Sequence, residues 1–182
     1  SLSKVTTETQ QITSPPLGPP RTITAQYDGE GNQTRLVYPG ERAIARAYDN
    51  LDRPFLVRDD PLGTNPPIAI YSYIGPSRVE QRDYPKFNPD QATRFTPAYD
   101  GIRRITDTTH NLIGGATFDK RHYDWDGNHN KVHANRSIPT PMEDRFYTYD
   151  AANRLIQSQV ITGGPPSIIT YTLDGIGNRT NV

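Results

Sequence analysis

Residues 124–128, Asp-Trp-Asp-Gly-Asn, have the types and spacing that come closest to a metal-binding or reactive site. Carboxylates at alternate positions before a glycine could bring oxygen ligands together around a hard cation such as calcium. The stretch lacks the distal bidentate glutamate of a calcium loop, and its composition is equally typical of a tight turn. We therefore predict a structural turn here and no metal site.

Three histidines surround this stretch, at His122, His129 and His133. Imidazole nitrogens bind zinc and related metals, but His129 and His133 would share one face only if the segment were helical. In a β-hairpin we expect these side chains to project toward solvent. The spacing therefore predicts neither a metal nor another cofactor.

The sequence contains no recognisable catalytic constellation. Cysteine is absent, so there is no thiol nucleophile and no disulfide framework. No Ser/His/Asp arrangement is apparent, and nothing in the spacing of the acidic residues selects a glycosidase-type carboxylate pair. We expect no enzymatic activity.

A tyrosine–aspartate signature that recurs every 21 to 26 residues places residues 124–128 within a repeating unit. Such a period is typical of an array of small units that are stable only when stacked on their neighbours. The third copy is degenerate, with Ile74 in place of Asp, and the seventh has Leu173 in place of Tyr. The predicted signature residues are Tyr27, Asp28, Tyr48, Asp49, Tyr73, Tyr99, Asp100, Tyr123, Asp124, Tyr149, Asp150 and Asp174.

A second shared position, four residues after each Asp, carries Asn or Arg. An Asp side chain can accept a hydrogen bond from the backbone N–H two residues on, and a glycine before the shared position can take a positive φ without steric cost. The pattern predicts one tight turn per repeat, with irregular third and fourth turns because Ser77 and Arg103 are poor substitutes for that glycine. The predicted turn residues are Gly31, Asn32, Arg53, Arg78, Arg104, Gly127, Asn128, Arg154, Gly177 and Asn178.

Short β-prone runs lie on both sides of the signatures, as in residues 68–73 and 155–160. Period-two alternation bounded by Gly, Pro, Asn and Asp predicts strand, tight turn, strand in each unit. The predicted fold class is all-β, an array of about seven antiparallel β-hairpin repeats that forms a curved or spiralling sheet. We also expect aromatic ladders where Tyr71 precedes Tyr73 and where Tyr147 precedes Tyr149.

Residues 1–24 precede the repeats, and we assign the array to residues 25–182. Residues 5–13 are β-prone but polar, and residues 15–20 are rich in proline and should form an extended spacer. Such a segment is either a disordered tail or an arm that adds a strand to the open edge of a neighbouring subunit. We favour the arm, because an unclosed array exposes an edge strand at each end.

Charge and hydrophobicity exclude several classes of partner. The net charge is zero, with 20 basic and 20 acidic residues and no basic stripe, so we expect no nucleic-acid binding. No apolar stretch approaches the length of a membrane span. The hydrophobic fraction of 33% is low for one compact core and is typical of thin stacked hairpins.

The repeated Tyr-Asp-x-x-Gly-Asn/Arg pattern followed by a β-run resembles the YD-repeat, or Rhs-repeat, family over residues 25–182. The resemblance implies a long ribbon of hairpins that spirals into a β-shell, as in bacterial polymorphic toxins, insecticidal toxin complexes, wall-associated proteins and teneurins. Residues 59–63, Asp-Asp-Pro-Leu-Gly, resemble the family's self-cleaving core. Because further repeats follow them, we predict an ordinary turn between hairpins.

Three functions of different classes are compatible with these sequence features. The first is an extracellular or cell-surface structural protein that binds copies of itself through its open edges and N-terminal arm, including as a fibre subunit. The second is a segment of a toxin-enclosing shell or wall-associated protein, bound to adjacent repeats of a larger chain. The third is a carbohydrate-binding module in which exposed tyrosines and Trp125 stack on sugar rings.

Overall fold

The computed structural model describes residues 4–11, 19–60, 67–85 and 91–181. The chain is all-β, as predicted: fourteen strands form one open antiparallel sheet whose order follows the chain, and two further strands form a small second sheet. The strands are β1 (Thr7–Gln10), β2 (Arg21–Tyr27), β3 (Gln33–Val37), β4 (Ala43–Tyr48), β5 (Pro54–Asp60), β6 (Ala69–Ile74), β7 (Arg78–Tyr84), β8 (Thr93–Tyr99), β9 (Ile105–Leu112), β10 (Thr117–Trp125), β11 (Lys131–Ile138), β12 (Glu143–Tyr149), β13 (Leu155–Ile161), β14 (Ser167–Thr170), β15 (Thr172–Leu173) and β16 (Arg179–Asn181).

Two compact units divide the chain, Ser1–Thr93 and Arg94–Val182. The first holds β1 to β7 and the second holds β9 to β16, while β8 begins at the boundary. Within each unit, antiparallel neighbours are joined alternately at the two margins of the sheet. The turns that follow the signature positions therefore lie along one margin of each unit, and the more variable connections lie along the other.

Few side chains in the described part of the chain are buried. No large side chain there is fully enclosed, and the buried residues are Ala43, Ile44, Ala69, Ala92, Pro97, Thr108 and Ser158. The strands contact their immediate neighbours in the sequence. Stability therefore depends on cross-strand pairs and on contacts between successive repeats rather than on a central core.

The N-terminal segment joins the sheet of its own chain. Strand β1 pairs antiparallel with β2, from Thr7 opposite Thr24 to Gln10 opposite Arg21. This pairing satisfies one edge of β1 within the chain, and its outer edge is open, so the arm over residues 1–24 that adds a strand to another subunit stays a prediction. The proline-rich residues 12–18 lie outside the described residues.

A β-bulge precedes the signature position in six hairpins, a feature that the alternation pattern did not predict. The register shifts between Ala47 and Tyr48, for example, so that Phe55 is left without an opposite residue. A bulge increases local twist and changes the direction in which the next side chain points. The same shift occurs before Tyr27, Tyr73, Trp125, Tyr149 and Leu173.

One of the two predicted aromatic ladders is present. The rings of Tyr71 and Tyr73 stack with centroids 6.3 Å apart and planes within 11°. No ring contact joins Tyr147 and Tyr149 in the described structure.

The fourth turn is regular, contrary to prediction. Arg103 adopts a φ of 73°, close to the 56° of Asp52 and the 61° of Asn153 at the corresponding places in other turns. A non-glycine residue pays a steric cost in this left-handed region. The surrounding hydrogen bonds therefore impose the conformation on Arg103.

We expect Arg103→Gly to stabilise the protein by about 0.5 to 1 kcal/mol, because glycine removes the steric cost and the exposed side chain contributes little packing. The urea midpoint of unfolding measures the change. Asn153→Gly is the matched control and should not stabilise, because Asn tolerates this geometry and the Asn153 Oδ1 accepts a hydrogen bond from Asn130. A lower midpoint for Arg103→Gly would show that its side chain, not the backbone, determines the turn.

Candidate functional site

The signature turn is built around one carboxylate, as the turn at Asp100 shows. The Asp100 Oδ1 accepts from the backbone N–H groups of Ile102 and Arg104 at 3.0 and 2.9 Å, and Oδ2 accepts from the Arg104 Nε at 2.7 Å. Two backbone hydrogen bonds close the turn, from Asp100 N–H to the Arg104 carbonyl and from Arg103 N–H to the Asp100 carbonyl. The Asp and the residue four positions later thus form one hydrogen-bonded unit.

The same arrangement recurs in six of the seven turns. Asp28 accepts from the backbone and side chain of Asn32, and the turn that begins at Ile74 has no such carboxylate. The pKa is lowered at each of the six aspartates. For Asp126, the hydrogen bond from the Asn130 side chain lowers the pKa most and outweighs the desolvation that raises it. The six are Asp28, Asp49, Asp100, Asp126, Asp150 and Asp174.

The residue four positions after the Asp also reaches the next turn. Asparagine does so through a side chain: the Asn32 Nδ2 donates to the Asp52 Oδ1 at 2.8 Å, and the Asn130 Nδ2 donates to the Asn153 Oδ1 at 2.8 Å. These residues form a clamp between consecutive repeats. The sequence showed that Asn or Arg occupies this position, but the contact with the following repeat was not predicted.

Arginine makes the same clamp with a longer reach. The Arg104 Nη1 donates to the Asp126 carbonyl at 2.7 Å, and the Arg154 Nη1 donates to the Asp174 carbonyl at 3.4 Å. Arg53 likewise donates to the Gly75 carbonyl. The two residue types therefore differ in the acceptor that they use and not in their role.

The signature aromatic residue completes the connection from the opposite direction. The Tyr48 hydroxyl donates to the Gln33 carbonyl at 2.9 Å, and the Tyr73 hydroxyl donates to the Pro54 carbonyl at 2.7 Å. In each case the acceptor is the residue five positions after the Asp of the preceding repeat. Each ring thus carries a polar donor that fixes its distance from the repeat before it.

Trp125 holds this place in the fifth repeat. Its indole Nε1 donates to the Ile105 carbonyl at 2.8 Å, and the Tyr149 hydroxyl of the sixth repeat donates to the Lys131 carbonyl at 2.9 Å. Ile105 is the fifth residue after Asp100, and Lys131 is the fifth residue after Asp126, so the spacing is that of the other repeats. Tryptophan can replace tyrosine here because both rings carry a hydrogen-bond donor at the edge.

The fifth repeat is therefore two residues out of the predicted register. Asp126 accepts from Asn128 N–H, Asn130 N–H and Asn130 Nδ2, and His129 has the positive φ, 67°, that was expected of Gly127. The predicted signature of Tyr123, Asp124, Gly127 and Asn128 is replaced by one that begins at Trp125. Gly31 and Gly177, the predicted turn glycines of the first and seventh repeats, both have a φ of 92°.

Asp124 belongs instead to a network of histidines and aspartates on β9 to β12. The His122 Nδ1 lies 2.9 Å from Asp107 Oδ1 and its Nε2 lies 3.2 Å from Asp124 Oδ1. The His133 Nδ1 lies 2.9 Å from Asp124 Oδ2 and its Nε2 lies 2.9 Å from Asp144 Oδ1. The two carboxylates of the calcium-like stretch thus have different partners, and no described group of three His, Asp or Glu residues could hold a metal ion.

Both nitrogens of each ring face a carboxylate, so the doubly protonated imidazolium satisfies the network best. The hydrogen bond to Asp107 raises the pKa of His122 most, with a further contribution from Asp124. Burial lowers the pKa of His133, but the hydrogen bonds to Asp124 and Asp144 outweigh it and the net shift is upward. Asn135 and the stacked ring of Phe146 lie beside these rings and are neutral. Lys120, two residues before His122, carries a positive charge.

We expect the second unit to be more stable at pH 6 than at pH 8. A raised folded-state pKa contributes stability that is fully present below the unfolded value of about 6.5 and is lost as the pH rises through the folded value. For half-exposed pairs the total is roughly 0.5 to 1 kcal/mol. Urea unfolding at the two pH values measures it, and the double variant His122→Gln/His133→Gln should lose the difference. Equal wild-type stability at both values would exclude a charged network.

Asp59 and Asp60 serve as ion-pair partners at the end of β5. The Asp59 Oδ1 accepts from the Arg42 Nε at 3.1 Å, and Asp60 pairs with Arg35. Pro61, Leu62 and Gly63, the rest of the stretch that resembles a self-cleaving core, lie outside the described residues.

Comparison with known proteins places this geometry among solved structures. No protein-family model matches the sequence, and no curated protein shows significant similarity to it. A chain of the Photorhabdus luminescens Tc holotoxin pore superposes with a TM-score of 0.78 at 15% identity over 99% of this chain and 10% of that one. This chain has the fold of that toxin segment. Crystal structures of TcdB2-TccC3 and TcdB2-TccC3-TEV each give a TM-score of 0.68 at 12% identity, over 95% and 98% of this chain.

The similarity supports an Rhs/YD-repeat-like fold, since toxin complexes are among the proteins that the repeat pattern resembles. The chain spans only about a tenth of the length of the toxin chains that it matches. The described part of the chain contains no helix of the length and apolarity that a membrane crossing requires.

Proposed function

We propose that this chain is a non-enzymatic, extracellular structural segment of a YD-repeat β-shell, and that its two ends stack on adjacent repeats of a larger chain. The observation that carries the proposal is that the contacts between internal repeats also occur at the N-terminal edge. Structural similarity to toxin-complex chains far longer than this one supports the shell in preference to an isolated module.

At the N-terminal edge, Lys4 and Val5 take the places of a turn arginine and the residue after it. The Val5 carbonyl accepts from the Tyr27 hydroxyl at 3.2 Å, and the Lys4 ammonium lies 5.7 Å from the centroid of the Tyr27 ring. The Pro54 carbonyl and the Arg53 guanidinium make the same two contacts with Tyr73. Strand β1 thus corresponds to the second strand of a repeat, and its outer side can pair with a first strand.

At the C-terminal edge, the clamp residue Asn178 has an unused donor. Its Nδ2 donates to the Asp174 Oδ2 at 3.1 Å, and the side chain is exposed with no second partner in the described structure. Asn32 and Asn130 use the same amide for both their own Asp and the next turn. The Asn178 amide of the seventh repeat can therefore donate a hydrogen bond to the turn of an eighth repeat.

The two alternatives have less support. A fibre built by exchange of the N-terminal arm is disfavoured because β1 pairs in cis. A sugar platform at Trp125 is disfavoured because Arg104 and Lys131 lie 5.7 and 5.6 Å from the centroid of its ring, and its N–H is bonded to Ile105.

Electron microscopy and light scattering of the purified chain, over a series of concentrations, test the shell segment against the fibre subunit. We expect a monomer at low concentration that associates irregularly through its edges as the concentration rises. Deletion of residues 1–11 should increase association, because it exposes β2 and leaves the Tyr27 hydroxyl without its acceptor. Ordered filaments that disappear on this deletion would contradict the proposal and establish the fibre subunit.

A further inference from the structure

A basic hollow lies on one face of β10, β11 and β12. In the strand register, Ala134 lies between Tyr123 on β10 and Arg145 on β12, and Arg136 lies between Arg121 and Glu143 in the next row. The short Ala134 side chain leaves a depression of about 350 Å³ among longer neighbours. The His122–Asp124 network lies on the opposite face, because successive strand residues alternate between faces.

The hollow concentrates positive charge in a chain whose net charge is zero. Arg121 is paired with Asp119 at 2.9 Å, and Arg145 donates to Glu143 at 2.7 Å. The four cations Arg121, Lys131, Arg136 and Arg145 thus face two carboxylates, Asp119 and Glu143, which leaves an excess of two positive charges.

Two of these cations lack a strong acceptor. The nearest Glu143 oxygen is 3.7 Å from the Arg136 Nη2, and the Arg136 Nε is buried without a hydrogen-bond partner in the described structure. Lys131 has no ion pair there and lies 4.5 Å from the centroid of the Tyr123 ring. An unpaired buried donor is costly, so an arrangement of this kind favours an external acceptor.

We propose that this hollow binds a doubly charged oxyanion group, a sulfate or a phosphate monoester. Two excess cations match a dianion, and a guanidinium can donate two parallel hydrogen bonds to such a group. The volume is at the lower end of ligand sites, which suits one such group with its immediate substituent. The site lies on a sheet face, away from both open edges, so it is independent of the proposed stacking of repeats.

Calorimetric titration of the whole chain at low salt and pH 8 tests this site with inorganic sulfate, inorganic phosphate and a sugar phosphate monoester, all of which are dianions at that pH. We expect one site with a dissociation constant on the order of 1 mM or below, weakening as sodium chloride is added. Equal affinity for the free ions and the sugar phosphate indicates a site for the free ion, whereas tighter binding of the sugar phosphate indicates a site for a phosphate monoester.

Variants separate a built site from general attraction by positive charge. Lys131→Gln/Arg145→Gln should weaken binding at least about tenfold, and Ala134→Leu should do so without any change of charge. Arg42→Gln is the matched control, because Arg42 is exposed and belongs to the other compact unit. Far-ultraviolet circular dichroism confirms folding of each variant. No binding by the folded wild type, or equal binding by Ala134→Leu, would overturn the proposal.

Discussion

Trp125→Ala is expected to destabilise the second unit by about 2 to 4 kcal/mol, because it removes a large, half-buried ring and a hydrogen bond at once. The indole N–H to Ile105 connects the fifth repeat to the fourth, and the ring also lies beside the clamp residue Arg104. Trp125→Phe keeps most of the packing and loses the donor, so we expect a smaller loss of about 1 kcal/mol. Urea unfolding monitored by circular dichroism measures both.

Phe118→Ala is the matched control for Trp125→Ala. Phe118 is an aromatic residue of the same strand but is 45% exposed and makes no contact between signature positions. We expect it to cost less than about 1 kcal/mol. Equal losses for Trp125→Ala and Phe118→Ala would show that the signature aromatic does not connect the repeats.

At pH 8, Asp126→Ala should lower the urea midpoint of unfolding by about three times as much as Asp124→Ala does, because the two carboxylates have different partners. Asp126 accepts three hydrogen bonds inside a turn, and without it the backbone donors of Asn128 and Asn130 lose their acceptor. Asp124 contacts two histidine side chains, and the positive charge that strengthens these contacts is lost as the pH rises through their raised pKa values.

The same pair of variants also tests the register of the fifth repeat. A larger effect of Asp124→Ala would restore the signature that the sequence predicted, with Tyr123 as its aromatic residue. Asp28→Ala, in a turn where sequence and structure agree, provides the reference for the expected shift.

The hairpin array could be predicted because its determinants are local. Alternating strands and an Asp that bonds to the backbone of its own turn depend on residues within five positions of one another. The fifth repeat could not be assigned in this way, since Asp124 and Asp126 are both followed four residues later by Asn. Gly127 favoured the wrong choice because glycine tolerates a positive φ, whereas the structure imposes it on His129.

The contacts between repeats could not be predicted from the sequence for a related reason. The clamp from Asn32 to Asp52 and the bond from Trp125 to Ile105 join residues about 20 positions apart, and a bulge determines whether the ring reaches its acceptor. The polar composition of residues 5–13 suggested an arm, but pairing with β2 requires no apolar face.

A further repeat fused to the C-terminus tests whether the ends of this chain stack on adjacent repeats. A second copy of residues 135–161 fused after Val182 continues the register, because Val182 follows Asp174 by the same eight residues that separate Ala134 from Asp126. The fused repeat should place the copy of Asn153 opposite Asn178 and the copy of Tyr149 opposite the Arg179 carbonyl. The matched control carries serine in place of the copied Tyr149 and Asp150.

Native-state hydrogen exchange of the amides in Arg179–Asn181 is the measurement. We expect the extended chain to protect them by about tenfold or more over the parent chain, while the serine control does not. Equal protection in all three proteins would contradict the stacking of repeats, because it would show that the C-terminal edge does not recognise the next repeat.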